Sequence, residues 1–156
     1  MTMVARSLFL AWALLALVAV PISPAAAQNA GLVDVNKASE AELAKLPNIT
    51  PSVAKAVVAN RPYKSIVDLN KVLLGQKLIQ EQATDFYRKA FVKINLNTGT
   101  TEEFLLIPGV AKRMSAEFAE YRPWKSWAQF DKEIGKYVGQ QETDRFKQYF
   151  FIPGVN

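Results

Sequence analysis

The feature that most constrains this chain is an internal repeat. Residues 33–71 align with residues 94–132 at a constant offset of 61 and without a gap. Beyond this block the alignment needs a shift of a few residues, which pairs Thr84-Asp85 with Thr143-Asp144. A repeat of this kind predicts a fold built from two copies of one small unit. Identical positions include Asn36 with Asn97, Glu42 with Glu103, Pro47 with Pro108, Arg61-Pro62 with Arg122-Pro123, and Lys64-Ser65 with Lys125-Ser126.

Each copy opens a helix with a capping box. The boxes are Ser39-x-x-Glu42 and Thr100-x-x-Glu103, in which the hydroxyl accepts from the amide three residues on and the glutamate accepts from the cap residue's own amide. Pro47 and Pro108 end these helices, because proline pushes the preceding residue toward extended geometry. Apolar side chains three residues apart predict the packed face of each helix, namely Leu43 and Leu46 in one copy and Phe104 and Ile107 in the other.

Three more helices are predicted in each copy. A hairpin plugged by Ile49 or Val110 leads into a helix that ends near the Arg-Pro pair. Further helices begin at Ser65 and Ser126, and a last one lies within residues 76–91 and within residues 140–151. The packed residues of the second helix are predicted to be Val53, Ala56 and Val57 in the first copy and Met114, Ala116 and Phe118 in the other.

Two short apolar runs precede the capping boxes. Residues 33–35 and 94–96 are compatible with extended chain, but they are too brief to predict a sheet with conviction. Asn36 and Asn97 follow these runs and are interpreted as turn residues that bond their own backbone. The predicted fold class is all-α, with a first half at residues 28–93 and a second half at residues 94–156.

The first 27 residues have the layout of a cleavable signal peptide. A short N-terminal region with one positive charge precedes an apolar run from Leu8 to Val20, which is too short for a spanning helix, and Ala25-Ala26-Ala27 supplies a cleavage site. The alternative is a short membrane anchor. We expect cleavage before Gln28, no transmembrane segment afterwards, and a periplasmic or secreted protein.

Composition excludes several kinds of active site. The chain has no cysteine and no histidine, so it lacks disulfides, the usual zinc ligands and every nucleophile arrangement that uses histidine. We expect no enzyme, no metal and no cofactor. After residue 27, Lys and Arg number 18 and Asp and Glu 14, a net charge of +4 that permits binding to nucleic acid without requiring it.

The runs from Val35 to Pro51 and from Leu96 to Lys112 resemble the helix-hairpin-helix domains of ComEA-like competence proteins, which are exported receptors for double-stranded DNA. The resemblance covers nearly all of the chain after residue 27. It implies two tandem helix-hairpin-helix units packed as a pseudo-two-fold repeat. In this family a hairpin of the form apolar-Pro-Gly-apolar-Gly-Pro-x-Lys binds the sugar-phosphate backbone, and glycines allow its amides to approach a phosphate.

The family pattern fits the two hairpins unevenly. Asn48 and Thr50 replace both glycines in the first hairpin, whereas the second keeps Gly109 and has Ala111. Asn tolerates the turn conformation, but the methyl groups of Thr50 and Ala111 crowd a phosphate. The motif lysine falls on Val53 and Met114, and nearby cations are the possible replacements. The candidate phosphate-binding residues are Gly109, Val110, Ala111, Lys112, Arg113, Asn48, Thr50 and Lys55.

Each candidate also has a purely structural interpretation. A glycine turn at residues 109–113 serves helix packing as well as it serves phosphate binding, and for residues 48–55 the structural role is favoured because the glycines are missing. Residues 28–93 hold ten Lys and Arg against six acids, whereas residues 94–156 hold eight of each, so the more basic half has the poorer hairpin. We expect the aromatic residues near the Arg-Pro pairs to be buried, and the alternative is that they stack on bases. These residues are Tyr63, Tyr121, Trp124 and Trp127.

Two functions are therefore predicted. The first is sequence-independent binding of the double-stranded DNA backbone in uptake or scavenging, through the second hairpin and a basic face around Lys55, Arg61, Lys64 and Lys71. The alternative is a non-enzymatic interaction or structural module that has lost DNA binding and has an envelope protein as its partner, as in extrinsic helix-hairpin-helix subunits of photosynthetic assemblies.

Overall fold

The computed structural model describes residues 31–155, so the predicted signal peptide and the start of the first half lie outside it. The described part is all-α, with short strands at the ends of each half. The element order is β1 (Val33–Asp34), α1 (Glu40–Leu43), α2 (Pro51–Ala59), α3 (Ile66–Gly75), α4 (Gln80–Tyr87), β2 (Ala90–Phe91), β3 (Ile94–Asn95), α5 (Thr101–Leu105), α6 (Lys112–Glu120), α7 (Trp127–Lys147) and β4 (Phe150–Phe151).

The capping chemistry of the sequence fixes where most helices begin. Both capping boxes form, and the hydroxyls of Ser39 and Thr100 each accept from the amide three residues on at 3.2 Å. Ser65 and Ser126 cap α3 and α7 in the same way. Helix α7 is two helical segments joined at Gly139, whose φ of 76° no interior helical residue adopts. The second segment corresponds to the helix predicted within residues 140–151.

The short extended runs do form ladders, which the sequence left undecided. Strand β1 pairs in parallel with β2, and β3 pairs in parallel with β4, so each half closes by joining its first residues to its last. Val33 pairs with Ala90, and Ile94 pairs with Phe150. Because Val33 and Ile94 are equivalent, Ala90 and Phe150 are equivalent too, and the C-terminal ends of the halves correspond at an offset of 60. The predicted pairing of Thr84-Asp85 with Thr143-Asp144, at an offset of 59, is therefore out of register by one residue.

Asn36 and Asn97 have a different role from the one predicted. The side-chain amide of Asn36 donates to the carbonyl of Tyr63 at 3.0 Å and accepts from the amide of Tyr63 at 2.8 Å. Asn97 makes the same pair of bonds with Trp124, at 3.0 and 2.6 Å. The interpretation that these residues bond their own backbone was wrong, because that turn role belongs to the residues two positions earlier. The turn bonds run from the amides of residues 36 and 97 to the side chains of Asp34 and Asn95.

The aromatic residue held by each Asn is buried, as expected. Tyr63 is 5% exposed and Trp124 is 2% exposed. The hydroxyl of Tyr63 donates to the carbonyl of Val57, and the indole N–H of Trp124 donates to the carbonyl of Phe118, both at 2.8 Å. Burial raises the pKa of Tyr63 to about 12, so the hydroxyl remains a donor. Each ring therefore joins the loop after the Arg-Pro pair to the preceding helix.

One continuous core runs through both halves, but its chemistry differs between them. Leu43, Val57 and Leu69 in the first half correspond to aromatic residues in the second, at Phe104, Phe118 and Phe130. The ring of Phe118 packs edge-on against Phe104, Phe146 and Phe150, with centroids 5.0–5.5 Å apart. The rings of Phe91 and Tyr149 lie 4.8 Å apart and connect the two halves. The second helix of the second half differs from the prediction, because Ala116 is exposed and Ser115 is buried in its place.

Gly99 illustrates how tightly the aromatic half is packed. A methyl group there would lie 2.8 Å from a ring carbon of Phe104, 3.0 Å from the carbonyl oxygen of Asn95, and in collision with Ile94. The corresponding residue of the first half is Ala38, and the equivalents of Ile94 and Phe104 are the smaller Val33 and Leu43. The larger neighbours in the second half therefore require a glycine.

We expect Gly99→Ala to lower the free energy of unfolding by about 1–3 kcal/mol, because the added methyl group overpacks a closed site. Urea denaturation measures this change. Gly75→Ala is the control, since nothing lies within 4 Å of the added methyl group at the end of α3. A loss of stability no greater than that of the control would contradict the packing argument.

We expect Asn97→Ala to lower the free energy of unfolding by about 2 kcal/mol, because the amide and carbonyl of Trp124 both lose their partner. Asn60→Ala provides a comparison at an exposed Asn whose side chain bonds only the carbonyl of Ala56, and there we expect a change within about 0.5 kcal/mol. Equal effects of the two substitutions, measured by urea denaturation, would argue against a special role for Asn97.

Candidate nucleic-acid interface

The two hairpins share a backbone conformation despite different residues. Asn48 has a φ of 62° and Gly109 a φ of 82°, so both occupy the left-handed region at the same point of the turn. The following residues, Ile49 and Val110, are 7% and 9% exposed and close the gap between the helices. Asn48 thus takes the turn conformation that the family assigns to glycine, and Val110 is a packing residue whose side chain faces the core.

The hairpins differ in how the next helix begins. Thr50 and Ala111 are the N-cap residues of α2 and α6 and have nearly the same extended conformation. The hydroxyl of Thr50 accepts from the amide of Val53 at 3.3 Å, whereas Ala111 has no side chain that can cap. A helix N-terminus carries a partial positive charge and unpaired amides. The N-terminus of α6 therefore presents more free donors than that of α2.

The position of the family's lysine carries no cation in either half. Val53 is 5% exposed within the core, and Met114 is half-buried. Cations instead occupy the first two positions of α6, where Lys112 and Arg113 are both exposed. Lys55 is also exposed, but it lies in the interior of α2, further from the turn.

Helix α7 brings residues to the second hairpin that the sequence did not single out. A terminal nitrogen of Arg145 lies 3.3 Å from the point where a Cβ of residue 109 would be, so the glycine leaves room for this guanidinium. Arg145 makes two bonds to Glu142, at 2.9 and 2.5 Å. This pairing lowers the pKa of Glu142, so the carboxylate is charged at neutral pH and balances Arg145. At an offset of 60, the first half has Asp85 at the position of Arg145.

A recess opens beside the second hairpin. It has a volume of about 440 Å³ and lies between the start of α6 and the two segments of α7. We call it the hairpin recess and define it by Gly109, Arg113, Met114, Lys136, Tyr137 and Phe146. Cationic and aromatic side chains therefore meet at the turn that the sequence singled out. No local sequence pattern pointed to the contribution of α7, because its residues at the recess begin at Lys136, more than 20 positions after the hairpin.

The cations of the recess are held next to aromatic rings. The guanidinium carbon of Arg113 is 5.8 Å from the ring centre of Tyr137, and the ammonium of Lys136 is 5.3 Å from it and 4.5 Å from that of Tyr121. Lys136 bonds Glu133 at 2.7 Å, which raises the pKa of the lysine. Hydrogen bonding to Tyr121 raises the pKa of Tyr137, so this hydroxyl stays protonated.

The basic face predicted on the first half is not intact. Lys55, Lys64 and Lys71 are exposed, but Arg61 is half-buried and two of its side-chain nitrogens are inaccessible. Its counterpart Arg122 donates to the carbonyls of Leu96 and Gly99, at 2.9 and 2.6 Å, and lies over the ring of Phe104. Arg61 is half-buried like Arg122, so it contributes less to the predicted basic face than the three exposed lysines do.

Within residues 31–155, no cluster of three or more acidic, His or Cys side chains is suited to hold a metal ion. In the same range, the helices are too short or too polar to cross a membrane.

The two N-caps allow a direct stability test. We expect Thr50→Ala to lower the free energy of unfolding by about 1 kcal/mol and Ala111→Thr to raise it by a similar amount, because the threonine hydroxyl supplies an acceptor to a free helix amide. Thermal or urea denaturation of the two variants measures both changes. If Ala111→Thr did not raise the free energy of unfolding, the first amides of α6 would already have hydrogen-bond partners. They would then not be available to an anion.

Comparison with known proteins supports the hairpin assignment. A family model described as a helix-hairpin-helix motif matches residues 28–88, which include the first hairpin. The chain is also similar to the photosystem II extrinsic protein U, cyanelle, of Cyanophora paradoxa, with 38% identity over 45 residues, or 29% of this chain. The matched region spans only 27% of the length of that relative. No solved structure matches the chain. The first half therefore contains a helix-hairpin-helix motif, a motif typical of nucleic-acid binding and of protein-interaction modules.

Proposed function

We propose that this protein is an exported, non-enzymatic DNA-binding protein that holds the sugar-phosphate backbone without reading sequence. Its binding surface is the second hairpin, from Gly109 to Arg113. A role in DNA uptake or scavenging, as in the ComEA-like family that the sequence resembles, follows from this chemistry and from the predicted signal peptide. The two halves then form a repeated scaffold with one principal binding hairpin.

The observation that carries the proposal is the combination found at the start of α6. A left-handed glycine, an N-terminus without a side-chain cap and two exposed cations lie within five residues. Among the described residues, neither Lys112 nor Arg113 forms an ion pair, so both charges are available to an anion. Phosphate is the anion that helix N-termini and Arg side chains bind most readily.

The first hairpin is a weaker candidate on the same criteria. Thr50 occupies one of the free amides of α2, and that helix begins with Pro51 and Ser52 in place of two cations. The side chain of Asn48 donates to the carbonyl of Gln82 at 3.4 Å, which ties the turn to α4. We therefore assign Asn48, Thr50 and Lys55 a secondary role in DNA binding.

The test is an electrophoretic mobility shift of random duplex DNA by residues 28–156, at low and at moderate salt. We expect binding at low salt that weakens as salt rises, because neutralised phosphates release counterions. Lys112→Glu with Arg113→Glu should weaken binding at least about tenfold and flatten the salt dependence by about one unit of slope per lost phosphate contact.

Lys55→Glu with Lys71→Glu is the matched control, because it changes the net charge equally but acts on the first half. We expect it to weaken binding less than the second-hairpin variant does. Equal losses would indicate attraction to net charge alone and would remove the special role of the second hairpin. Absence of any shift by the unmodified chain at low salt would end the DNA-binding proposal.

A second candidate function is a protein-interaction module of the cell envelope. It is favoured by the similarity to an extrinsic photosystem II protein, since an extrinsic subunit acts by attachment to other proteins. A complex with an envelope protein that persists after nuclease treatment and at high salt would support this function. A complex lost on nuclease treatment would instead point back to DNA as the link.

A further inference from the structure

The hairpin recess has apolar and aromatic walls that a phosphate site alone does not require. A backbone phosphate needs cations and amides at an open surface, as at Lys112 and Arg113. The recess adds an apolar interior formed by Met114, Val138 and Phe146 next to the exposed ring of Tyr137. A cation at the entrance and apolar walls behind it suit a ligand that joins a phosphate to a flat aromatic group.

We infer that the hairpin recess binds one unpaired nucleotide, with its phosphate at Arg113 and its base against Tyr137 and Met114. This inference rests on the proposed DNA-binding function and extends it to the kind of strand that is preferred. Strands with unpaired bases, or duplexes with frayed ends, then bind more tightly than fully paired DNA, whose bases are stacked away from the protein.

The charges in the recess favour a phosphate over a carboxylate-bearing peptide. Of the acids at its edge, Glu142 is already balanced by Arg145 and Glu117 approaches the hydroxyl of Tyr137, while Lys136 is balanced by Glu133. Arg113 therefore contributes the uncompensated charge, and the amides at the start of α6 add partial positive charge on the same side. A backbone phosphate accepts several of these donors at once, because its two non-bridging oxygens share the negative charge and each has free lone pairs.

The aromatic side chain is accessible to a base. Tyr137 is 39% exposed, which is high for a large side chain, since the other tyrosines and tryptophans within residues 31–155 are more buried. Its hydroxyl bonds that of Tyr121 at 3.0 Å, so the ring is held in place from behind. A ring that is fixed and exposed loses little entropy when a base stacks on it.

The experiment compares three probes by fluorescence anisotropy with residues 28–156, namely an oligo-thymidine strand, an abasic strand of equal length and a blunt duplex. The first two carry the same phosphates and differ only in their bases. We expect the thymidine strand to bind about tenfold more tightly than the abasic strand, the scale of one base stacked on an aromatic ring.

Two substitutions at Tyr137 and one control substitution test whether the preference for bases arises in the hairpin recess. Tyr137→Ala should abolish the preference for bases, whereas Tyr137→Phe should keep it, because the ring is retained. Ile79→Ala is the control, since Ile79 is 60% exposed and lies in the first half. The turn between α3 and α4 that contains Ile79 corresponds to the break at Gly139 in the second half. Ile79→Ala should leave the preference unchanged.

The outcomes separate this inference from the proposed function. Binding of duplex and abasic strand without any preference for bases overturns the nucleotide recess but leaves phosphate binding intact. A preference that survives Tyr137→Ala also overturns it, because the base would then contact another site. If none of the three probes binds at low salt, the proposed function fails and the inference fails with it.

Discussion

The two-bond clamp between an Asn side chain and the residue after each Arg-Pro pair is the interaction on which the site depends. Asn36 and Asn97 each satisfy both backbone polar groups of a residue 27 positions away. The first helix, the hairpin and the second helix all lie between the two ends of this clamp. Closing the segment in this way restrains how the two helices leave the hairpin, and the same two bonds form in both halves.

Within this shared frame, small differences in side chains change the groups that each hairpin presents at its surface. The hydroxyl of Thr50 fills a helix terminus that Ala111 leaves open, although the backbone of the two residues is nearly the same. Asn48 reproduces the turn of Gly109 but adds a side chain, and that side chain bonds α4. At the second hairpin the missing Cβ makes room for Arg145. The frame is therefore maintained by packing and the clamp, while binding capacity depends on a few exposed atoms.

Sequence reasoning succeeded where the chemistry is local. The capping boxes at Ser39 and Thr100, the plugs at Ile49 and Val110 and the burial of Tyr63 all follow from residues within a few positions of one another. It failed where partners are distant. Nothing near Asn97 in the sequence points to Trp124, and nothing near Gly109 points to Arg145. The ladders were undecided for the same reason, since two-residue strands become visible only through their pairing partners.

Net charge per half does not describe the charge available at the proposed binding surface, because many of the acids are paired. The second half is neutral overall, yet five of its eight acids are engaged within the fold. Glu103 completes a capping box, Glu133 and Glu142 pair with Lys136 and Arg145, and Asp131 and Asp144 pair with Lys147. Because a paired charge contributes little field at a distance, Lys112 and Arg113, which form no ion pair among the described residues, contribute positive potential at the start of α6. A half without net charge can therefore carry the stronger anion-binding surface.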